Sequence, residues 1–152
     1  MISGTRKLVL LVAVCLALAI PASSTATSTQ NTLPNPVLVF LGQEFFETGG
    51  KPFIRYRYVV DNLTVYPKEL FAPAPSLPPC GLNTKASRTW VDIYEQNGKR
   101  LNRFCVLGNP SELDKLWFAL DVDVIPPSWV YIEMTDRQTG TKYKSNLAES
   151  TL

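Results

Sequence analysis

Few residues of this sequence could carry chemistry, because the 152-residue chain contains no histidine. Histidine is the commonest general base near neutral pH, so its absence excludes Ser-His-Asp and Cys-His nucleophilic pairs. It also excludes every zinc site that uses an imidazole ligand. We therefore expect a chain that is not an enzyme, with no catalytic residue and no cofactor.

Cys80 and Cys105 offer a second kind of chemistry. Cys80 lies in the stretch PPCGLN with Lys85 and Arg88 nearby, and a reactive thiol would need such a cation or a helix N-terminus. No CxxC spacing indicates redox cycling. The third cysteine, Cys15, lies in the predicted N-terminal leader, and the two cysteines that remain in an exported chain favour one structural disulfide. The bond would close about 26 residues, for which the chain-entropy model gives about 3.5 kcal/mol of stabilisation.

Asp121 and Asp123, in LDVDV, form a carboxylate pair on a predicted strand. Residues i and i+2 of a strand point to the same face, so both could contribute to a Ca²⁺ site, which takes about six to eight oxygens. A glycosidase pair is the catalytic alternative, although such carboxylates normally come from different strands. The EF-hand pattern is absent, so we expect a solvated strand face and no metal.

Aromatic residues on predicted strands are the better candidates for a binding surface. Trp129 and Tyr131 alternate with apolar residues, so they face outward if those neighbours face the core. There they could stack on a sugar ring or anchor a protein partner, and Trp117 is a further candidate. The alternative is that these aromatic side chains pack between the two sheets or are partly covered by the proline-rich segment. We assign Trp90 to the core, since one buried tryptophan is typical of a sandwich.

The elements that must position these residues are predicted to be strands. Runs of β-forming residues between turn clusters occur at 37–47, 53–60, 88–94, 101–107, 116–124, 128–136 and 141–146. Asn97-Gly98 predicts a hairpin with a type I′ turn, and Asn109 is a predicted cap of a short helical turn.

About seven short strands within roughly 110 residues indicate the fold class. We predict an all-β, two-sheet antiparallel sandwich of immunoglobulin-like or fibronectin-III-like type with one disulfide, and a small barrel is the alternative. In the second strand, Ile54, Tyr56, Tyr58 and Val60 should share one face.

A proline-rich connection, residues 67–83, precedes the third strand and contains Cys80. Its prolines keep the segment out of the sheet ladders and lower the entropy of the unfolded chain. Because loops on a rigid sandwich commonly carry recognition, we predict a contact surface here, with Leu77 and Pro78 as candidate residues.

The N-terminus has the pattern of a secretory signal peptide. Two basic residues precede the apolar run 8–20, and small residues follow, which predicts a leader at 1–26 that is cleaved near Ser24–Ala26. A retained membrane anchor is the alternative, although the run is shorter than the roughly 20 residues a spanning helix needs. We further predict a flexible segment at 27–36, the sandwich at 37–147 and a tail at 148–152.

The net charge of the chain without its leader limits the classes of partner that we expect. Removing Arg6 and Lys7 with the leader takes the 15 basic residues to 13, equal to the 13 acidic residues. A neutral chain lacks the positive field of a nucleic-acid binder and the basic cluster of an anionic-membrane binder. We expect no nucleic acid, and contact with a membrane only during export.

Two segments resemble known families. PPSWVYIEMTDRQTGTKYKSN is similar to the closing hairpin of fibronectin-III-like domains. PPCGLNTKASRTWVDIY, followed by FC and KLWFAL, resembles a group of small exported bacterial proteins with no assigned activity, over most of Pro78 to Asn146. This resemblance implies a sandwich fold and export, and it carries over no catalytic residue.

These features predict a secreted or periplasmic, non-catalytic β-sandwich module for protein interaction or for envelope or surface structure. Its partner would be a protein or a glycan. The alternative is a carbohydrate-binding module that uses Trp129, Tyr131 and Trp117. A secreted protease inhibitor that presents the proline-rich segment is a further hypothesis.

Overall fold

A computed structural model describes residues 32–151, whose regular secondary structure is almost entirely β. The strands are β1 (Leu38–Thr48), β2 (Lys51–Val60), β3 (Thr89–Glu95), β4 (Arg100–Phe104), β5 (Leu116–Asp121), β6 (Trp129–Asp136), β7 (Lys142–Lys144) and β8 (Ala148–Glu149). Three short 3₁₀ turns are also present, Leu63–Val65, Lys68–Phe71 and Pro110–Asp114. The predicted signal peptide lies outside the described residues. Within them, no helix is long and apolar enough to cross a membrane.

The strands form two antiparallel sheets. The three-stranded sheet has the order β1-β2-β5, and the five-stranded sheet has the order β4-β3-β6-β7, with β8 paired to β6. The Cys80–Cys105 disulfide is present. The all-β, two-sheet fold with one disulfide is therefore confirmed, with eight strands in the described residues where about seven were predicted.

The core lies between the sheets and is built by alternating strand residues. Tyr56, Tyr58 and Val60 of β2 are buried, and Ile54 on the same side is half-buried. The Tyr56 and Tyr58 rings stack on Phe118, with ring centroids 4.8 and 5.9 Å apart. The predicted face of β2 is confirmed, because the period of two in a strand separates core residues from solvent-facing ones.

Both ends of the described chain contact the sandwich more closely than we predicted. Residues 148–152 were expected to form a tail, but β8 pairs with β6, and the buried Ser150 Oγ lies 2.9 Å from the Tyr58 hydroxyl. Residues 32–36 were expected to be flexible, yet Tyr66 donates a 2.9 Å hydrogen bond to the Pro34 carbonyl. The packed unit therefore extends beyond the predicted limits on both sides.

Two predicted turns are present, one with a different geometry. β3 and β4 form the predicted hairpin, but the type I′ turn is wrong. Gly98 has a φ of 90°, whereas no described non-glycine residue, including Asn97, has a positive φ. A type I′ turn requires positive φ at both positions. The Asn109 cap is confirmed, since its Oδ1 accepts a 3.0 Å hydrogen bond from the Ser111 amide.

The proline-rich segment 67–83, called the proline loop below, is anchored along its length. Leu70 and Phe71 are buried in the core. The Arg88 amide donates to the Ala72 carbonyl at 2.8 Å, and the disulfide holds Cys80 beside the end of β4. The loop is therefore a fixed part of the surface.

Candidate functional site

The outward side of the five-stranded sheet carries a set of paired aromatic and charged side chains, and we call it the open face. It consists of Trp90, Asp92, Tyr94, Arg103, Trp129, Tyr131, Glu133, Lys142 and Lys144. These residues share one side because antiparallel partners in register point the same way and alternate with core residues.

Trp90 lies on the open face, so its assignment to the core is wrong. Val91 and Ile93 are the buried residues of β3, and alternation turns Trp90 away from them. The guanidinium carbons of Arg103 and Arg137 lie 4.3 and 4.1 Å from its ring centroid. Two cation–π contacts thus cover an indole that would otherwise face solvent.

Arg103 is fixed in this position by a carboxylate. Its Nε and Nη2 atoms donate to the two carboxylate oxygens of Asp92 at 2.6 and 2.7 Å. Asp92 is only 2% exposed, and these hydrogen bonds raise the pKa of Arg103. A bidentate pair of this kind fixes the plane of the guanidinium as well as its position.

Arg137 joins the open face to the proline loop. Its Nη1 donates to the Ser87 carbonyl at 3.1 Å, and its Nη2 donates to the Pro78 carbonyl. Because the same guanidinium lies against Trp90, the loop and the sheet face share one side chain. The two surfaces are therefore contiguous.

The turn that carries Arg137 is held by a second bidentate ion pair. Arg88 Nε and Nη2 donate to Asp136 at 2.8 and 2.6 Å, and Thr139 and the Gln138 amide donate to the same carboxylate. The Arg88 hydrogen bonds lower the pKa of Asp136 to about 2. Asp136 is therefore ionised at neutral pH and holds the β6–β7 turn in shape.

The far end of the open face is aromatic. Tyr94 and Tyr131 stack with centroids 5.3 Å apart and an interplanar angle of 19°. Lys144 Nζ lies 4.0 Å from the Tyr131 centroid, and β3 and β7 flank β6 on opposite sides. Both sides of the Tyr131 ring are thus in contact, whereas Trp129 is 38% exposed beside a shallow cleft of about 360 Å³.

The predicted contact residues fall on two different surfaces. Trp129 and Tyr131 lie together on the open face, and Pro78 adjoins it through Arg137. Leu77 is half-buried and lines a cleft of about 260 Å³ under the proline loop. Trp117 is 37% exposed, but it lies on the outward side of the three-stranded sheet. It cannot form one aromatic row with Trp129 and Tyr131.

Asp121 and Asp123 do not form the predicted same-face pair. β5 ends at Asp121, and Asp123 lies in a turn in which the Val124 amide donates to the Asp121 carbonyl at 3.0 Å. Residues 32–151 contain no group of three or more histidine, cysteine, aspartate or glutamate side chains arranged to hold a metal ion.

Comparison with known proteins adds no family to these observations. No protein-family model matches this chain, and no characterised protein and no solved structure shows significant similarity to it. The resemblance to small exported bacterial proteins therefore stays a prediction. Any function must be argued from the surfaces themselves.

Proposed function

We propose that this chain is an exported, non-catalytic β-sandwich module that binds a protein partner through the open face and the adjoining proline loop. The observation that carries the proposal is the set of aromatic rings and paired cations on this side of the sheet, from Tyr131 to Arg137, with the exposed Trp129 beside it on the same strand. Tryptophan, tyrosine and arginine are the residues most enriched at binding hot spots.

Fixed side chains favour a protein partner. Arg103 is held by Asp92, and Arg137 is held by two backbone carbonyls. Ordering a long side chain on binding costs about 0.5–1.5 kcal/mol, so a surface whose arginines are already ordered avoids part of that cost. Such a surface suits a partner of fixed shape.

Strand order supports the finer fold assignment that we propose, a fibronectin-III-like sandwich. In an immunoglobulin-type sandwich the first, second and fifth strands share one sheet and the third, sixth and seventh share the other, as β1-β2-β5 and β3-β6-β7 do here. The fourth strand pairs with the third, which is the fibronectin-III variant of that arrangement. Loops at the ends of such a sandwich often carry recognition.

We place this module in a secreted or periplasmic compartment. The Cys80–Cys105 bond supports this location, because disulfides persist in oxidising compartments and are rare in the cytosol. The leader pattern at 1–26 points the same way. Intact mass with and without reductant, before alkylation, tests the location: two thiols that react without reduction in protein taken from its native compartment would contradict it.

Site-specific photocrosslinking tests the binding surface. A photoreactive phenylalanine replaces Trp129 on the open face or, as the control, the exposed Val65 in the turn after β2. We expect a discrete product in the native envelope or extracellular fraction from position 129 and none from position 65.

The captured protein is then purified and titrated. Trp129→Ala and Lys144→Ala should each weaken its Kd about tenfold, and Val65→Ala should leave it unchanged, with circular dichroism confirming that each variant is folded. Equal crosslinking from both positions, no product from either, or an unchanged Kd in the open-face variants would contradict the proposal.

A glycan ligand is the second candidate, and the exposed ring of Trp129 favours it. The contacts on both sides of Tyr131 count against it, since a sugar stacks on an uncovered aromatic face. On a glycan array this function predicts retention that Trp129→Ala abolishes and Trp117→Ala preserves. An array with no retained glycan would remove it.

A further inference from the structure

The edge of the three-stranded sheet formed by β1 is unusual in length. β1 has 11 residues, compared with about 5–6 for an average strand. It pairs with β2 on one side. On the other side, among the described residues, only the Asn146 side chain bonds to it, accepting from the Leu38 amide and donating to the Leu38 carbonyl at 2.8 and 3.0 Å.

Most of this edge lacks the lysine, proline or bulge that commonly protects an edge strand. Natural edges are blocked by charged side chains, above all lysine, by proline or by bulges, and the charged side chains of this edge are Glu44 and Glu47. β1 has a bulge between Phe40 and Gly42, but 43–48 pairs regularly with 51–56 and contains neither lysine nor proline. Phe45 is 66% exposed, and Val37, Val39 and Leu41 are also exposed. Unpaired backbone groups therefore lie beside exposed apolar side chains.

We propose that 43–48 of β1 is a strand-addition site for an extended segment of a partner protein that carries lysine or arginine at positions three residues apart. Glu44 and Glu47 are three residues apart and therefore lie on opposite faces of β1, so this spacing places one basic residue opposite each carboxylate. Main-chain hydrogen bonds would continue the sheet, and side-chain contacts would select the sequence. This site goes beyond the proposed function, because it uses the other sheet and none of the open-face residues.

Charge selects a basic segment. The ionisable side chains of β1 are Glu44 and Glu47 alone. An added strand would lie about 4.8 Å from β1 and twice as far from β2, which carries the nearest basic residues. One of these, Arg55, is 3.6 Å from Glu44, but its guanidinium lies against the Phe46 and Trp117 rings at 4.6 and 4.9 Å. The carboxylates thus dominate the outer side of the edge.

The same charges argue against a second copy of this chain as the added strand. β1 of a second copy contains no lysine or arginine, so self-pairing would bring no opposite charge to Glu44 and Glu47. A foreign basic strand supplies that charge.

Two ten-residue peptides, otherwise of valine, serve as probes, one with lysine and one with glutamate at every third position. We expect the lysine peptide to bind the folded domain at least tenfold more tightly in calorimetry. It should slow amide hydrogen exchange within 43–48, and Trp129→Ala should not alter this binding. A failure here would leave the open-face proposal standing, because the two readouts use different surfaces.

Charge reversal provides the matched control. Glu44→Lys with Glu47→Lys should reverse the peptide preference, whereas Glu69→Lys with Asp114→Lys, at exposed positions elsewhere, should preserve it. If the first pair disturbs folding, Glu47→Lys alone should still reduce the preference at least threefold, and added salt should reduce it in the wild type.

Three outcomes would overturn the proposal. The first is unchanged exchange within 43–48 at saturating lysine peptide. The second is protection at the edges formed by β5 or β7 instead. The third is a dimer in sedimentation that protects β1 without any peptide, which would assign the edge to a second copy.

Discussion

The outward sides of the two sheets differ in how their charges are held. On the open face, cations lie on Trp90 and Tyr131, and Arg103 is in turn fixed by the buried Asp92. On the three-stranded sheet, Arg55 also contacts two aromatic rings, but its ion pair with Glu44 is longer, at 3.6 Å, and the Glu44 side chain is half exposed. The ion-pair partner of Arg103 is therefore buried, whereas that of Arg55 is open to solvent.

This difference shows how one sandwich can support two modes of recognition. Fixed arginines and tyrosines present a defined shape, so the partner must match it. An unprotected edge strand instead offers backbone hydrogen bonds, which are nearly independent of sequence, and leaves selectivity to Glu44 and Glu47. The open face should therefore tolerate substitution less well than the edge.

Removing the disulfide should have the largest effect. Cys80→Ala with Cys105→Ala should lower the free energy of unfolding by about 3.5 kcal/mol. The two cysteines are 25 residues apart, and without the bond the unfolded chain between them regains conformational entropy. Urea denaturation followed by circular dichroism measures it. Leu82→Ala, at a fully exposed position in the same loop, should change it by less than about 0.5 kcal/mol. A loss below about 1 kcal/mol would show that the anchor matters little.

Asp136→Asn should have the next largest effect and lower the free energy of unfolding by about 2–3 kcal/mol near pH 7. The substitution removes a buried carboxylate that accepts from Arg88, Thr139 and the Gln138 amide. Asp121→Asn, on the exposed end of β5, is the matched control and should cost less than about 0.5 kcal/mol. Equal losses in the two variants would remove the contrast between the sheets.

The Asp136 contribution should also depend on pH. Its pKa falls from 3.8 to about 2 on folding, so the stabilisation is complete only above about pH 5. It should disappear as the pH falls through 2, where the folded carboxyl is also protonated. Urea curves at pH 7, 4, 3 and 2 should therefore show the wild type and Asp136→Asn converging. A difference in free energy of unfolding between the two proteins that stays constant down to pH 2 would contradict the predicted pH dependence.

Arg137→Ala should have a smaller and more local effect, about 1 kcal/mol, because it removes two hydrogen bonds and one contact with Trp90. Amide exchange should accelerate in the proline loop around Leu77. Arg55→Ala is the counterpart on the other sheet: it removes two cation–π contacts and an exposed ion pair, so it should also cost about 1 kcal/mol, but it should leave amide exchange in the proline loop unchanged. Faster exchange throughout the core would show that Arg137 stabilises the whole fold instead of the loop.

Local patterns predicted the strands, because alternation is a property of neighbouring residues. It identified the core face of β2 and the outward position of Trp129. The same alternation turned Trp90 outward, but analogy with sandwiches that bury a tryptophan led to the wrong assignment. The pattern within β3 was the better guide, because it follows directly from backbone geometry.

Contacts between distant residues could not be predicted in this way. Arg137 reaches Pro78 across 59 residues, and nothing near either residue in sequence indicates the pairing. β8 has only two residues, too few to show alternation. The Asp121 and Asp123 prediction failed because β5 ends at Asp121, and strand ends are set by pairing with β2 as well as by local sequence.

The position of the tryptophans has a practical consequence for optical measurements. All three lie outside the core, two on the open face and one on the three-stranded sheet. The emission of Trp117 and Trp129, which are 37% and 38% exposed, should report events at the surface and change only modestly in wavelength when the protein unfolds. In variants that keep one tryptophan and replace the others with phenylalanine, Trp129 would report a partner on the open face. Trp117, which shares a sheet with β1, would report an added strand. The two binding events could therefore be followed separately by tryptophan fluorescence.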